Sequence, residues 1–175
     1  MKATAGVQVN FDHYNEEDAM LKLRTVFQLA PVFNAIFANS LVRAGELSGY
    51  MSWRGHVWTK TDNSRCGLVE KLTAPGCTFD DYIDWMLDVP MLFVERDGQY
   101  IDKRGDSFRA WMDSGQATEA DWDLQLSLPF PEVRFRPQVE LRCADTVPPP
   151  YALALAAFVE GLFYNQDSLE HAAAL

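Results

Sequence analysis

Over residues 4–11 apolar and polar positions alternate, with Val7, Val9 and Phe11 on one side and Gln8 and Asn10 on the other. That period of two predicts a half-buried strand. Asn15-Glu16-Glu17-Asp18 then reads as a helix start, with acidic residues where the helix dipole favours them. Met20, Leu21, Leu23, Val26, Phe27 and Ala30 continue at helical spacing to Pro31, and a second short helical segment is predicted over 31–39, with proline in its first turn. Residues 45–67 sustain neither period and crowd Trp53, Arg54, His56, Trp58, Thr59, Lys60, Asp62 and Arg65 together, the composition of a binding loop. Further on, Thr78 is placed to cap a helix over 79–87 that Pro90 stops. A short strand over 91–95 turns at Asp97-Gly98, and two short helices follow over 106–113 and 118–126.

The strand predicted over 134–143 carries the most chemistry. Phe135, Pro137, Val139, Leu141 and Cys143 share one face, and Arg134, Arg136, Gln138, Glu140 and Arg142 share the other. Pro137 cannot donate to a ladder, so an edge or bulge is expected beside it. Guanidinium groups at alternate positions, about 7 Å apart, can clamp carboxylates or phosphates, and Glu140 between them can hold Mg²⁺. The other reading of the same pattern is a solvated sheet face with compensating charges. Arg54 and Arg65 with Trp53 and Trp58 pose the same choice between an anion site and a loop pinned by its tryptophans. After Pro148-Pro149-Pro150 comes an apolar helix to about Tyr164, then a terminal amphipathic helix from Ser168. Strands mixed with helices, without regular β-α-β alternation, predict an α+β fold: a mostly antiparallel sheet covered by helices, in a single domain spanning 1–175.

Composition narrows the function. A net charge of −10 argues against nucleic acid and against anionic membrane surfaces. No segment reaches the ~18 consecutive apolar residues of a membrane span. With 48% hydrophobic and 13% aromatic residues, the chain is globular rather than disordered. Three widely spaced cysteines, Cys66, Cys77 and Cys143, suggest reduced thiols and a cytoplasmic protein. No nucleophile elbow, P-loop or zinc spacing is present.

Several tracts in register resemble the glutamate–cysteine ligase family of plant and proteobacterial type. They are Thr4-Ala5-Gly6-Val7-Gln8-Val9-Asn10-Phe11-Asp12, Leu21-Lys22-Leu23-Arg24, Ile36-Phe37-Ala38-Asn39-Ser40 and Ser52-Trp53-Arg54-Gly55-His56-Val57-Trp58-Thr59. Thr61-Asp62, Arg65, Leu87-Asp88-Val89-Pro90-Met91, Phe130-Pro131-Glu132-Val133-Arg134, Glu140-Leu141-Arg142 and Ala144-Asp145 continue the match. The resemblance implies a partial glutamine-synthetase-like domain. It also implies an ATP- and Mg²⁺-dependent reaction in which the γ-carboxylate of glutamate is phosphorylated and then attacked by the amine of cysteine. On that basis Arg54 and Arg142 are the catalytic candidates, Gln8, Asn10, Trp58, Thr59 and Arg65 the substrate-binding ones, and Glu140 the metal ligand.

Family members run to well over twice this length, and their earlier half supplies a glutamate-rich strand for magnesium and ATP. The stretch here resembles only the later half of the catalytic domain. Gly55 stands where serine is usual, Lys60 where an acidic residue is usual and Cys66 where threonine is common. Two readings follow: a fragment or subunit of an ATP-dependent ligase acting on glutamate or a related amino acid, or a non-catalytic module that binds an amino acid or a protein. Either predicts association, with itself or with a complementary ligase subunit, because a partial sheet leaves an edge and an apolar face.

Overall fold

A computed structural model describes residues 4–175. The alternating N-terminal segment forms β1 (Gly6–Phe11), with Gln8 and Asn10 exposed and Phe11 buried. Asn15 caps helix α1 (Glu16–Ile36) by accepting the Asp18 N–H at 2.9 Å. The break predicted at Pro31 does not occur, and α1 runs through it as one helix. Proline in a helix interior costs about 3 kcal/mol. Packing offsets that cost, since Val26, Phe27, Ala30 and Phe33 are all buried around the site of the missing N–H. Lys22 is also buried in α1. Its ammonium donates to the Asp12 carbonyl and to Asp18 Oδ2, each at 2.9 Å, and lies 5.3 Å from the ring centroids of Tyr14 and Tyr164.

A small hairpin follows, β2 (Val42–Arg43) and β3 (Glu46–Leu47), turning through Ala44 and Gly45 at positive φ. The stretch read as an irregular loop then contains a helix, α2 (Trp53–Trp58), capped by Ser52, whose hydroxyl accepts from the Gly55 N–H. Next come β4 (Cys66–Gly67), α3 (Glu70–Thr73) and α4 (Phe79–Asp88). As the sequence predicts, Thr78 caps α4, in a reciprocal capping box with Asp81. β5 (Phe93–Arg96) and β6 (Gln99–Asp102) form a hairpin whose turn is Asp97-Gly98, both at positive φ. The short helices α5 (Phe108–Asp113) and α6 (Glu119–Ser127) follow, with caps at Ser107 and Thr118.

The remaining elements are β7 (Phe130–Pro131), β8 (Val133–Arg136), β9 (Gln138–Asp145), α7 (Pro149–Phe163) and α8 (Gln166–Ala173). The single strand predicted over 134–143 is two strands, folded back on each other at Pro137 with Arg136 opposite Gln138. Pro137 sits in the turn, where its missing N–H costs no ladder bond. β9 is the centre of an antiparallel sheet of order β1-β9-β8. β4 pairs with β7 in parallel over two residues, and the other two small sheets are hairpins. The fold is therefore α+β, with mostly antiparallel sheets covered by helices, consistent with a partial glutamine-synthetase-like domain.

One face of the main sheet is the core. Val133, Phe135, Val139, Leu141 and Cys143 meet Leu23, Val26, Phe27 and Ala30 of α1, and Phe163 of α7 stacks on Phe11 at 4.6 Å. Among the described residues no helix is long and apolar enough to cross a membrane.

Candidate functional site

The other face of the sheet carries the charged residues. Because β8 and β9 form a tight hairpin, Arg134 lies directly opposite Glu140, and Arg142 lies two residues further along β9 on the same side. Arg134 Nε and Arg142 Nη1 both donate to Glu140 Oε2. Gln8 of β1 completes the group, with its amide turned so that the nitrogen donates to Glu140 Oε1 (3.2 Å) and the oxygen accepts from Arg142 Nη1 (3.0 Å). Asn10 pairs with Glu140 across the sheet and is exposed. Arg134, Glu140 and Arg142 are all buried. Burial works to raise the Glu140 carboxyl, but the two guanidinium bonds outweigh it and hold the group below its ordinary value.

Arg54 reaches this face from α2, which the end of β9 holds in place. Asp145, buried, accepts hydrogen bonds from the Asn39 N–H (2.8 Å), the Ser40 hydroxyl (2.7 Å) and the Ser52 hydroxyl (2.8 Å). With their protons committed to Asp145, both serine oxygens turn lone pairs to α2: Ser40 accepts from Arg54 N–H and Ser52 from Gly55 N–H, each at 2.9 Å. Arg54 then crosses β1 at Gly6. A Cβ there would stand 2.7 Å from Arg54 Nε and 2.8 Å from the Ala144 carbonyl, so only glycine admits the guanidinium. Arg54 Nη2 donates to the Arg142 carbonyl at 2.6 Å, while Nη1 is buried with no partner.

Aromatic rings close the arrangement. The Arg54 guanidinium lies 5.8 Å from the Trp58 ring, and those of Arg134 and Arg142 each lie 5.8 Å from Phe130. Trp58 and Phe130 are 6.1 Å apart, and Trp58 Nε1 is a second buried donor without a partner. Arg65 connects through its backbone, its carbonyl accepting from the Phe130 N–H at 2.7 Å. The Arg65 guanidinium is directed to Asp62 (2.7 Å) and the Pro90 carbonyl (2.6 Å), leaving Nη1 buried and unpartnered. Bonds from Arg65 and Ser64 hold the Asp62 carboxyl down at about 2.

Arg54, Arg142, Glu140, Gln8 and Trp58 thus come together, with Asn10 beside them and Arg65 joined through Phe130. Thr59 stands apart. Its hydroxyl donates to the His56 carbonyl, and it lines a cavity of about 540 Å³ shared with Asn34, Ser52 and Glu132. Glu132 has its carboxyl pushed up by burial, against the pull of Arg54 and Arg142. His56 stacks on Tyr50 at 3.9 Å and tilts against Trp53, a structural placement. Phe130, Glu132 and Asp145 acquire their places only in three dimensions, because each meets residues at least six positions away and none lies in a periodic pattern.

The fit to magnesium is poor on these residues alone. Both Glu140 oxygens are engaged by cationic or amide groups, and the described residues contain no group of three or more His, Cys, Asp or Glu side chains that could hold a metal ion. A hard cation at Glu140 would have to displace a guanidinium from Oε2 or the Gln8 amide from Oε1, which makes this carboxylate by itself a poor magnesium ligand.

The glutamate-cysteine ligase family 2 (GCS2) profile matches residues 1–175. Glutamate–cysteine ligase B, chloroplastic, of Oryza sativa subsp. japonica is 43% identical over 178 residues, covering 97% of this chain and 36% of the rice protein. The chloroplastic ligases of Nicotiana tabacum and Arabidopsis thaliana are 41% and 39% identical, each with 97% of this chain and 34% of the relative covered. The chain therefore spans about a third of the length of these curated relatives. They overturn the expectation of a cytoplasmic protein, since all three are named as chloroplastic. Cys66, Cys77 and Cys143 are free, and unpaired thiols do not distinguish one reducing compartment from another. A match running from the first residue to the last, on the strands and helix that assemble the arginine face, makes the chain a member of the glutamate–cysteine ligase family.

Proposed function

We propose that this chain contributes the substrate-carboxylate face of a glutamate–cysteine ligase, working as part of a larger site that joins the γ-carboxyl of glutamate to the amine of cysteine. The observation that carries this reading is Arg54: a buried guanidinium, fixed by Asp145 and Gly6, with one nitrogen facing no acceptor. A buried cationic donor without a partner is unfavourable unless an anion completes it. Arg54 and Arg142 neutralise substrate carboxylate and the charge that develops on it, while Gln8, Asn10, Trp58 and Arg65 shape its surroundings and Thr59 lines a separate cavity. Glu140 orients Arg134 and Arg142. ATP with Mg²⁺ supplies the activating phosphoryl group in such a ligase, and the groups that hold them come from polypeptide beyond this region or from a complementary subunit. Exposed apolar residues of α7 (Tyr151, Leu153 and Phe158) offer a surface for such polypeptide or for a second copy.

The poor fit of Glu140 to magnesium also favours a second reading, an amino-acid-binding module without catalysis. Calorimetric titration of the chain with glutamate and, separately, with Mg-ATP tests the proposal. Glutamate binding without Mg-ATP binding is the expected result. Absence of glutamate binding overturns the ligase reading, and tight Mg-ATP binding overturns the assignment of the nucleotide site to other polypeptide.

A further inference from the structure

On the opposite side of the β8–β9 hairpin from Glu140 lies an open cavity of about 710 Å³, lined by α4, α6 and the hairpin turn. Phe135 lines this cavity from the hairpin face away from Arg134, and Arg136 borders it from the end of the hairpin beside Pro137, although in a straight strand it would share the face of Arg134. Its walls are aromatic: Phe79, Tyr82, Trp122 and Phe135, with Tyr82 and Phe135 in an edge-on contact at 4.7 Å and Phe79 5.4 Å from Phe135. His13 adds a further ring, 6.0 Å from Phe135, with its Nε2 3.3 Å from the Pro137 carbonyl. A volume of this size matches ordinary small-molecule sites, which are mostly apolar with a few polar groups.

Two charged residues belong to the lining, Arg136 and Asp123. Both are exposed, and among the described residues neither side chain makes an ion pair or a hydrogen bond. An apolar chamber with one free cation and one free anion on its rim has the recognition pattern of a zwitterion with a bulky apolar arm. We propose that this cavity binds an α-amino acid with a large aromatic side chain. The ring enters among Phe79, Tyr82, Trp122 and Phe135, Arg136 pairs with the carboxylate and Asp123 with the ammonium. Nothing in this inference depends on the ligase reading, because none of Arg54, Arg134, Glu140 and Arg142 lines the cavity.

L-tryptophan and L-phenylalanine are the probes, with tryptamine lacking the carboxylate and indole-3-propionate lacking the ammonium. Calorimetry or ligand-observed NMR on the whole chain should show saturable L-tryptophan binding, with each truncated analogue weaker by about two- to fivefold, the effect of losing one exposed charge contact. Arg136→Gln should weaken L-tryptophan about two- to fivefold and leave tryptamine unchanged, while Asp123→Asn should weaken L-tryptophan and spare indole-3-propionate. Both substitutions are at exposed positions, and circular dichroism confirms that the fold persists. The proposal is overturned if L-tryptophan does not bind, if both analogues bind as well as the amino acid, or if neither substitution changes affinity.

Discussion

At the scale of single residues, the arrangement turns on a glycine, an arginine and a carboxylate in tension. Gly6 has no left-handed backbone to accommodate; it is needed because a methyl group would collide with Arg54 Nε and with the fixed Ala144 carbonyl. Gly6→Ala should therefore destabilise the fold by about 1–3 kcal/mol, the usual consequence of overpacking. It should also weaken glutamate binding as Arg54 is pushed off the strand, with chemical denaturation and calorimetry as readouts. Glu132 behaves in the opposite sense. Its carboxyl is pushed up by burial, so the folded state takes up its proton more readily than the unfolded state. That group lowers stability progressively as pH rises from the unfolded carboxyl value, near 4.5, through the raised folded value. Glu132→Gln should then raise the melting temperature at pH 7.5 and make little difference at pH 4. An equal or lower melting temperature at pH 7.5 would mean that Arg54 and Arg142 compensate the buried charge fully.

The elements show what a one-dimensional pattern conveys and what it hides. β1, the Asn15 and Thr78 caps and the Asp97-Gly98 turn are local signals, and each appears where the sequence places it. The β8–β9 hairpin was hidden by parity. Residues paired across an antiparallel hairpin share a face, so Arg134, Glu140 and Arg142 lie on one side whether the chain is straight or folded back. A straight strand would set Arg134 and Arg142 about 27 Å apart, and only the turn at Pro137 lets both reach one carboxylate oxygen. α2 was hidden for another reason. Six residues with Gly55 and Val57 have little intrinsic helicity, and the helix is held from outside, by Asp145 acting through Ser40 and Ser52. Asp145→Ala leaves three donors without their acceptor and should cost about 2–4 kcal/mol. Hydrogen exchange in α2 should rise before the sheet loosens, and uniform loosening of sheet and helix would contradict this anchoring role.

Across the whole molecule, the family was legible because tracts in register extend along nearly the entire chain. The compartment was not, since thiol chemistry is common to every reducing environment. Acid stability is a property of the same scale. Asp62 is held at about 2 by Arg65 and Ser64, and the buried Asp121 is held far below its ordinary 3.8 by Arg96, which meets it with two bonds of 2.6 Å. Glu140 is lowered as well, its two arginine bonds outweighing burial. Groups with depressed folded values contribute stability above their unfolded values and lose it as pH falls through the folded ones. The stability these three groups contribute should thus be lost steeply below about pH 4, lowering the melting temperature there, with Asp121→Asn flattening part of that fall.

The most direct test of the arginine face watches Arg54 itself. In a nitrogen-15 NMR titration of the arginine side chains with glutamate, the Arg54 guanidinium resonances, assigned from Arg54→Lys, should shift and saturate together with those of Arg142. Shifts confined to exposed arginines such as Arg43 and Arg104, with Arg54 unmoved at saturating glutamate, would contradict the account.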